Sequence, residues 1–256
     1  MFSNIIEIII LSIVQGISEF LPISSSAHLN IIEIIFEFNS NSLMIDVSLH
    51  LGSLLSIIFY FRKELLNLKH NQKLLSLLVI GSIPIVIVGY IISTTGLINL
   101  LENNLKIIAW TTLIFGIILY LADKSKSEKK ISSNLNLKTI LYIGLFQVLA
   151  LIPGVSRAGI TITAARFFKY NRFDSSKISF LLAIPAIAGA SVLQLKNAIE
   201  QSFELNYLIL ISIILSFLFS FFTIKLFLKY INKFSLNVFV IYRIIISVIL
   251  FIIIYN

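Results

Sequence analysis

Six stretches of this 256-residue chain, about 41–61, 74–95, 107–122, 178–196, 207–228 and 236–255, are apolar segments long enough to span a bilayer, 107–122 being the short one. A helix needs roughly 20 apolar residues to cross the hydrocarbon core of a bilayer. Inside that core only helices and closed barrels satisfy their own backbone hydrogen bonds. The alternating ten-residue segments of a membrane barrel are absent. Charged residues make up 12% of the chain, against roughly 25% in soluble domains. The sequence therefore predicts an all-α polytopic membrane protein with six transmembrane helices. With no cysteine, disulfides, thiolate catalysis and Cys-ligated metals are excluded. The first residues lack a basic segment, so no cleavable signal peptide is expected.

Two further apolar regions, about 4–37 and 139–168, are broken in the middle by Pro, Gly and Ser. Each half is about 11 to 14 residues, too short to span. Both read as re-entrant helical hairpins whose polar tips lie inside the membrane, where irregular backbone survives only if protein buries it or water reaches it.

The net charge of +8 follows from loop cations rather than from affinity for nucleic acid. Sixteen Lys and Arg fall on loops 62–73, 123–138, 166–177 and 225–233, against two, Lys106 and Lys196, on the alternate loops. The positive-inside rule then places both termini outside and the basic loops in the cytoplasm. The second hairpin has basic flanks and enters from the cytoplasm; the first has none and enters from outside. Gln15 precedes Ser24 by nine residues, and Gln147 precedes Ser156 by nine. Each serine follows a proline, Pro22 or Pro153. An inverted repeat is expected within one membrane domain: hairpin plus three spans at about 1–122, a cytoplasmic loop at about 123–138, and the same again at about 139–256.

The first tip runs from Gln15 through Glu19, Pro22 and Ser24-Ser25-Ser26 to His28. Gln15 and Glu19 are one helical turn apart and face the same side. A carboxylate and an amide carbonyl so placed can hold a hard divalent cation. The serines supply hydroxyls, and His28 is the one side-chain type whose unperturbed pKa suits proton transfer near neutrality. Glu7, Glu33 and Glu37 read as interfacial, solvated or paired. The second tip, Pro153-Gly154-Val155-Ser156-Arg157 with Gly159 and Thr161, has the opposite character. Glycines let backbone N–H groups approach a ligand, and a half-helix beginning near Ser156 turns its positive end into the tip. Arg157 adds a planar cation beside helix breakers, where snorkelling is disfavoured. Together these form an anion site, and phosphate suits it best. Oppositely directed hairpins bring an acid/base tip and an anion cradle together, a layout for phosphoryl transfer. Asp46, His50 and Arg243 are left open between a structural polar network and the border of the site. His70 reads as solvated.

Gln15-x-x-x-Glu19 through Ser24-Ser25 to His28 resembles the (E/Q)xxxE signature of the integral-membrane undecaprenyl-diphosphatases of the bacitracin-resistance type. Pro153-Gly154-x-Ser156-Arg157-x-Gly159-x-Thr161 is similar to that family's PGxSRSxxT signature, with Ala158 in place of the second serine. Asp46 to Gly52, Ser179 to Pro185 and Tyr242-Arg243 extend the likeness over nearly the whole chain.

The resemblance implies hydrolysis of undecaprenyl diphosphate to undecaprenyl phosphate and phosphate in the bacterial inner (plasma) membrane. This recycles the lipid carrier of cell-wall synthesis and confers bacitracin resistance. It further implies Mg²⁺ or Ca²⁺ on Glu19 and Gln15, with one carboxylate only because Gln15 is neutral. Arg157 clamps the diphosphate, Ser156, Thr161 and Gly154 orient it, and His28 serves as acid/base. Ser25 or Ser24 is the nucleophile, Ser25 preferred by its i, i+3 spacing to His28, with direct attack by water left open. The implied partners are a polyprenyl diphosphate lipid and membrane lipids, with a homodimer compatible. The alternative is a transporter or flippase of a lipid phosphate or small anion.

Overall fold

The computed structural model describes residues 2–36, 43–67, 71–96, 104–200 and 207–255. Glu37 and His70 lie outside these residues, as does the side chain of Glu33. The described chain is helical, and its one extended pairing is an isolated bridge between Lys129 and Tyr170. In order the helices are α1 (Phe2–Ser18), α2 (Ser25–Phe36), α3 (Leu43–Tyr60), α4 (Arg62–Asn67), α5 (Gln72–Thr95), α6 (Leu105–Asp123), α7 (Ile131–Asn134), α8 (Leu137–Val148), α9 (Arg157–Phe167), α10 (Arg172–Glu200), α11 (Tyr207–Ile231) and α12 (Asn237–Tyr255). Six of these, α3, α5, α6, α10, α11 and α12, are long and apolar enough to cross a membrane.

The expected spans are found with shifted ends. Helix α10 begins at Arg172 rather than near 178, because the Asn171 side chain accepts from Asp174 N at 2.8 Å and starts the helix through polar first turns. Helix α6 gains residues at its start because Asn104 accepts from Lys106 N and Ile107 N at 3.1 and 3.3 Å. Loops 62–73 and 123–138 contain the short helices α4 and α7. Arg166, assigned by sequence to a basic loop, is 2% exposed in the last turn of α9. It donates to Asp123 O, Ser125 O, Ser127 Oγ and Tyr170 O, a clasp that ties the loop after α6 to the end of α9. Glu7, read from the sequence as interfacial and solvated or paired, is buried.

Apolar surface alone does not hold helices together in lipid, so close backbone approach does more of the work. A Cβ on Gly144 of α8 would lie 2.1 Å from Gly81 O of α5, so these backbones touch. Gly16 of α1 meets Ser220 N of α11, and Gly52 of α3 meets Ile213 O of α11, at 2.9 and 2.5 Å on the same measure. Ser53 between Ser216 and Ser220, at 3.1 and 3.0 Å, stitches α3 to α11. Helix α1 packs on α11 as α8 packs on α5, and α3 pairs with α10 while α6 pairs with α12. These contacts set the turn after α1 against the turn after α8.

Candidate active site

The first tip is the turn between α1 and α2. Glu19 N still donates to Gln15 O at 3.0 Å, so Gln15 and Glu19 stay one helical turn apart. The chain then reverses through Pro22 to Ser24, whose φ of +75° is left-handed, and α2 starts at Ser25. A non-glycine residue there is strained by crowding of its Cβ.

The second tip follows a 3₁₀ turn at Leu149–Leu151. Gly154 has φ +86°, and a Cβ there would sit 2.2 Å from Thr111 Oγ1. Only glycine meets both conditions. Ser156 repeats the strain of Ser24 with φ +70° and caps α9 by accepting from Gly159 N at 3.1 Å. Its hydroxyl also lies 3.5 Å from Leu21 O of the first tip. Arg157 is the first residue of α9.

The tips meet at Glu19. Its Oε1 accepts from Arg157 Nη2 at 2.8 Å. Its Oε2 accepts from Ser25 Oγ at 2.7 Å and from Gln15 Nε2 at 3.1 Å. Gln15 Nε2 also donates to His50 Nδ1 at 2.9 Å. The Glu19 and Arg157 side chains are only 7% and 11% exposed, so water screens their attraction weakly. Two polar atoms beside this pair are buried without a partner, the donor Arg157 Nη1 and the acceptor Gln15 Oε1. Buried polar groups are seldom left so. An unmet guanidinium nitrogen beside a hydroxyl–carboxylate pair is what an anionic substrate would complete.

Of the residues singled out by sequence, Gln15, Glu19, Ser25, Ser156 and Arg157 come together here. Ser24 contributes its backbone, and its Oγ lies 3.3 Å from Ser26 Oγ. Thr161 is fully buried, its hydroxyl engaged with Arg157 O at 2.8 Å and Ser179 Oγ at 2.7 Å, so it braces α9 against α10. The His28 ring turns from Ser25 to other partners. Its Nδ1 donates to Ser24 O at 2.6 Å, which leaves Nε2 to accept from Tyr242 Oη at 2.6 Å with the rings stacked. Sequence reasoning named Tyr242 only as part of the family likeness, without its contact to His28, and left Arg243 open, although an arginine within an apolar span is itself a signal of function.

Oxygen donors suit a hard divalent cation. Glu19 and Gln15 could offer one charged and one neutral oxygen to such an ion, and the unpartnered Gln15 Oε1 fits that use. Both Glu19 oxygens already accept hydrogen bonds, and among the described residues no group of three or more His, Asp and Glu could hold a metal. Any cation would therefore share Glu19 with Arg157 and draw on substrate oxygens.

Comparison with known proteins gives a consistent result. The family described as Bacitracin resistance protein BacA matches residues 8–249. An undecaprenyl-diphosphatase of Pelagibacter ubique (strain HTCC1062) is 90% identical over 256 residues, which covers all of both chains. An undecaprenyl-diphosphatase of Elusimicrobium minutum (strain Pei191) is 40% identical, covering 96% of this chain and 97% of that one. One from Alteromonas mediterranea is 38% identical over 96% and 97% of the two chains.

Proposed function

This chain belongs to the Bacitracin resistance protein BacA family, and from that premise we propose that it is an undecaprenyl-diphosphatase. It converts undecaprenyl diphosphate and water to undecaprenyl phosphate and inorganic phosphate, which recycles the lipid carrier of cell-wall synthesis and confers resistance to bacitracin. The observation that carries this reading is Glu19 bonded at once to Ser25 Oγ and Arg157, with Arg157 Nη1 left without an acceptor.

The terminal phosphate pairs with Arg157 Nη1 and lies against the free N–H groups at the start of α9. Ser25 Oγ attacks the terminal phosphorus and gives its proton to Glu19 Oε2. The bond from that phosphorus to the bridging oxygen breaks, and undecaprenyl phosphate leaves. Water then attacks the seryl phosphorus, the bond from that phosphorus to Ser25 Oγ breaks, Ser25 Oγ takes the proton the water gives up, inorganic phosphate is released, and the proton held by Glu19 passes to solvent. Glu19 serves as the base because its oxygen is 2.7 Å from the hydroxyl. His28 fixes the first turn of α2 through Ser24 O and stands by for the second step. Thr161 holds the start of α9 from below, and Gly154 lets the second tip turn. Fixed charges do most of the work in phosphoryl transfer.

Glu19 and Gln15 would hold a divalent cation, Mg²⁺ or Ca²⁺, which when bound neutralises phosphate oxygens. The turns after α1 and α8 are read as re-entrant tips and the two halves as an inverted repeat. The matched strain at Ser24 and Ser156 and the matched packing of α1 on α11 and α8 on α5 support this. Loop charge supports both termini lying outside in a bacterial plasma membrane. A homodimer is compatible with the outward apolar helices, and the mass of the solubilised protein would test it. A carrier of lipid phosphate gains nothing from a hydroxyl paired to a carboxylate beside its ligand.

The test is phosphate release from undecaprenyl diphosphate by protein purified in detergent, with Mg²⁺ or Ca²⁺ present. Release is expected; none from folded protein would overturn the reading.

A further inference from the structure

Arg243, near the start of α12, is fully buried. Its Nε donates to Thr112 O at 3.0 Å. Its Nη1 donates to Pro22 O of the first tip at 3.2 Å and to Val155 O of the second at 3.0 Å. Its Nη2 donates to Gly154 O at 2.9 Å and to Thr111 O at 3.5 Å. A guanidinium has five N–H donors, and all five end on backbone carbonyls. Room for the side chain comes from glycine: a Cβ on Gly116 or Gly159 would lie 3.2 or 3.1 Å from it. No acidic side chain pairs with Arg243 among the described residues.

A buried cation held only by carbonyl dipoles is costly, which is why buried charges are normally paired. Arg157 is already neutralised by Glu19. Arg243 is therefore an uncompensated positive charge directly beneath both tips. We infer that Arg243 is a second, indirect cation of the diphosphate site: it fixes the tips to each other through their carbonyls and supplies, without touching substrate, the positive charge that the diphosphate neutralises on binding. The inference rests on the reading of the tips as a diphosphate site. Arg243 is a positioning residue, since none of its donors remains for a phosphate oxygen.

Charge must be separated from clasp in the test. Ser247 lies one turn along α12, fully buried, with its Oγ 2.9 Å from Arg243 O. Ser247→Asp brings a negative charge within one helical turn of Arg243 while leaving the five partners of the guanidinium unsubstituted, and Ser247→Asn adds the same shape without charge. Binding of inorganic pyrophosphate is measured by calorimetry on the purified full chain, with thermal unfolding alongside. Ser247→Asp is expected to weaken binding about 10-fold, and Ser247→Asn by no more than about 3-fold. Arg243→Lys, which keeps charge and loses the clasp, should bind pyrophosphate more tightly than Arg243→Gln while both hydrolyse slowly. Equal weakening by Asp and Asn, or no weakening by either, would overturn the inference. Because binding is read apart from turnover, a wild type that binds pyrophosphate yet releases no phosphate from the lipid would sink the phosphatase reading and leave this one standing.

Discussion

Arg157 Nη2 donates to Glu19 Oε1 at 2.8 Å, joining two tips that are 138 residues apart in the chain. The pair is nearly buried, so removing one partner strands the other, at a cost on the order of 3–5 kcal/mol. Arg157→Ala should therefore lower stability as well as cut phosphate release below about a tenth of wild type. Adding Glu19→Gln to it removes the stranded carboxylate. Thermal unfolding of the double variant should recover toward wild type while activity stays lost. If stability does not recover, the ion pair is not what joins the tips.

Ser25 and Ser24 are adjacent, and the structure gives them different work. Ser25 Oγ faces the Glu19 carboxylate, whereas Ser24 supplies a left-handed turn and a carbonyl for His28. Ser25→Ala should cost about 10³-fold or more in turnover with the fold intact, the scale seen when a nucleophile is removed. Ser24→Gly relieves a positive φ and should leave unfolding unchanged or slightly raised. Phosphate release from the two variants, measured side by side, ranks the serines. A more severe loss at Ser24 would reverse the assignment.

The six spans were legible because length and apolarity are all that a bilayer demands. The polar tips were legible because Gln15, Glu19, Ser156 and Arg157 stand out against Ile and Leu. Partners were harder. Nothing in local spacing says that the His28 ring turns to Tyr242, 214 residues away, rather than to Ser25 one turn along. Nor does it say that Thr161 faces Ser179 of the next helix. The start of α10 was missed because its first turns are polar, and the burial of Arg166 because charge in a connecting segment looks solvated when the carbonyls that bind it come from elsewhere in the chain.

Gln15→Glu is the most direct test of cation use. The amide now donates to Glu19 Oε2 at 3.1 Å and leaves Oε1 without a partner. A carboxylate at 15 loses that bond and sets two negative charges side by side, which a divalent cation relieves. Activity of Gln15→Glu should fall more steeply than wild type as chelator is added, and recover at lower Mg²⁺ or Ca²⁺. Identical cation titrations for the two proteins would remove Gln15 from any metal site.

Gly144 carries the prediction that links packing to the site. A methyl group there would lie 2.1 Å from Gly81 O and 2.9 Å from Gly81 C, both backbone atoms of α5 that cannot swing aside. Gly144→Ala must push α8 away from α5. Overpacking of this kind costs typically about 1–3 kcal/mol. Helix α8 leads directly into the second tip, so the displacement reaches Arg157 and weakens its bond to Glu19. Thermal stability and phosphate release should therefore fall together. Gly189 of α10 is the control, because a Cβ there meets nothing within 4 Å and alanine favours a helix by roughly 1 kcal/mol over glycine. Gly189→Ala should leave both measurements unchanged or raise stability slightly. If Gly144→Ala melts earlier yet keeps full activity, the tips hold their geometry independently of the α5–α8 contact, and the clasp formed by Arg243 is the stronger restraint.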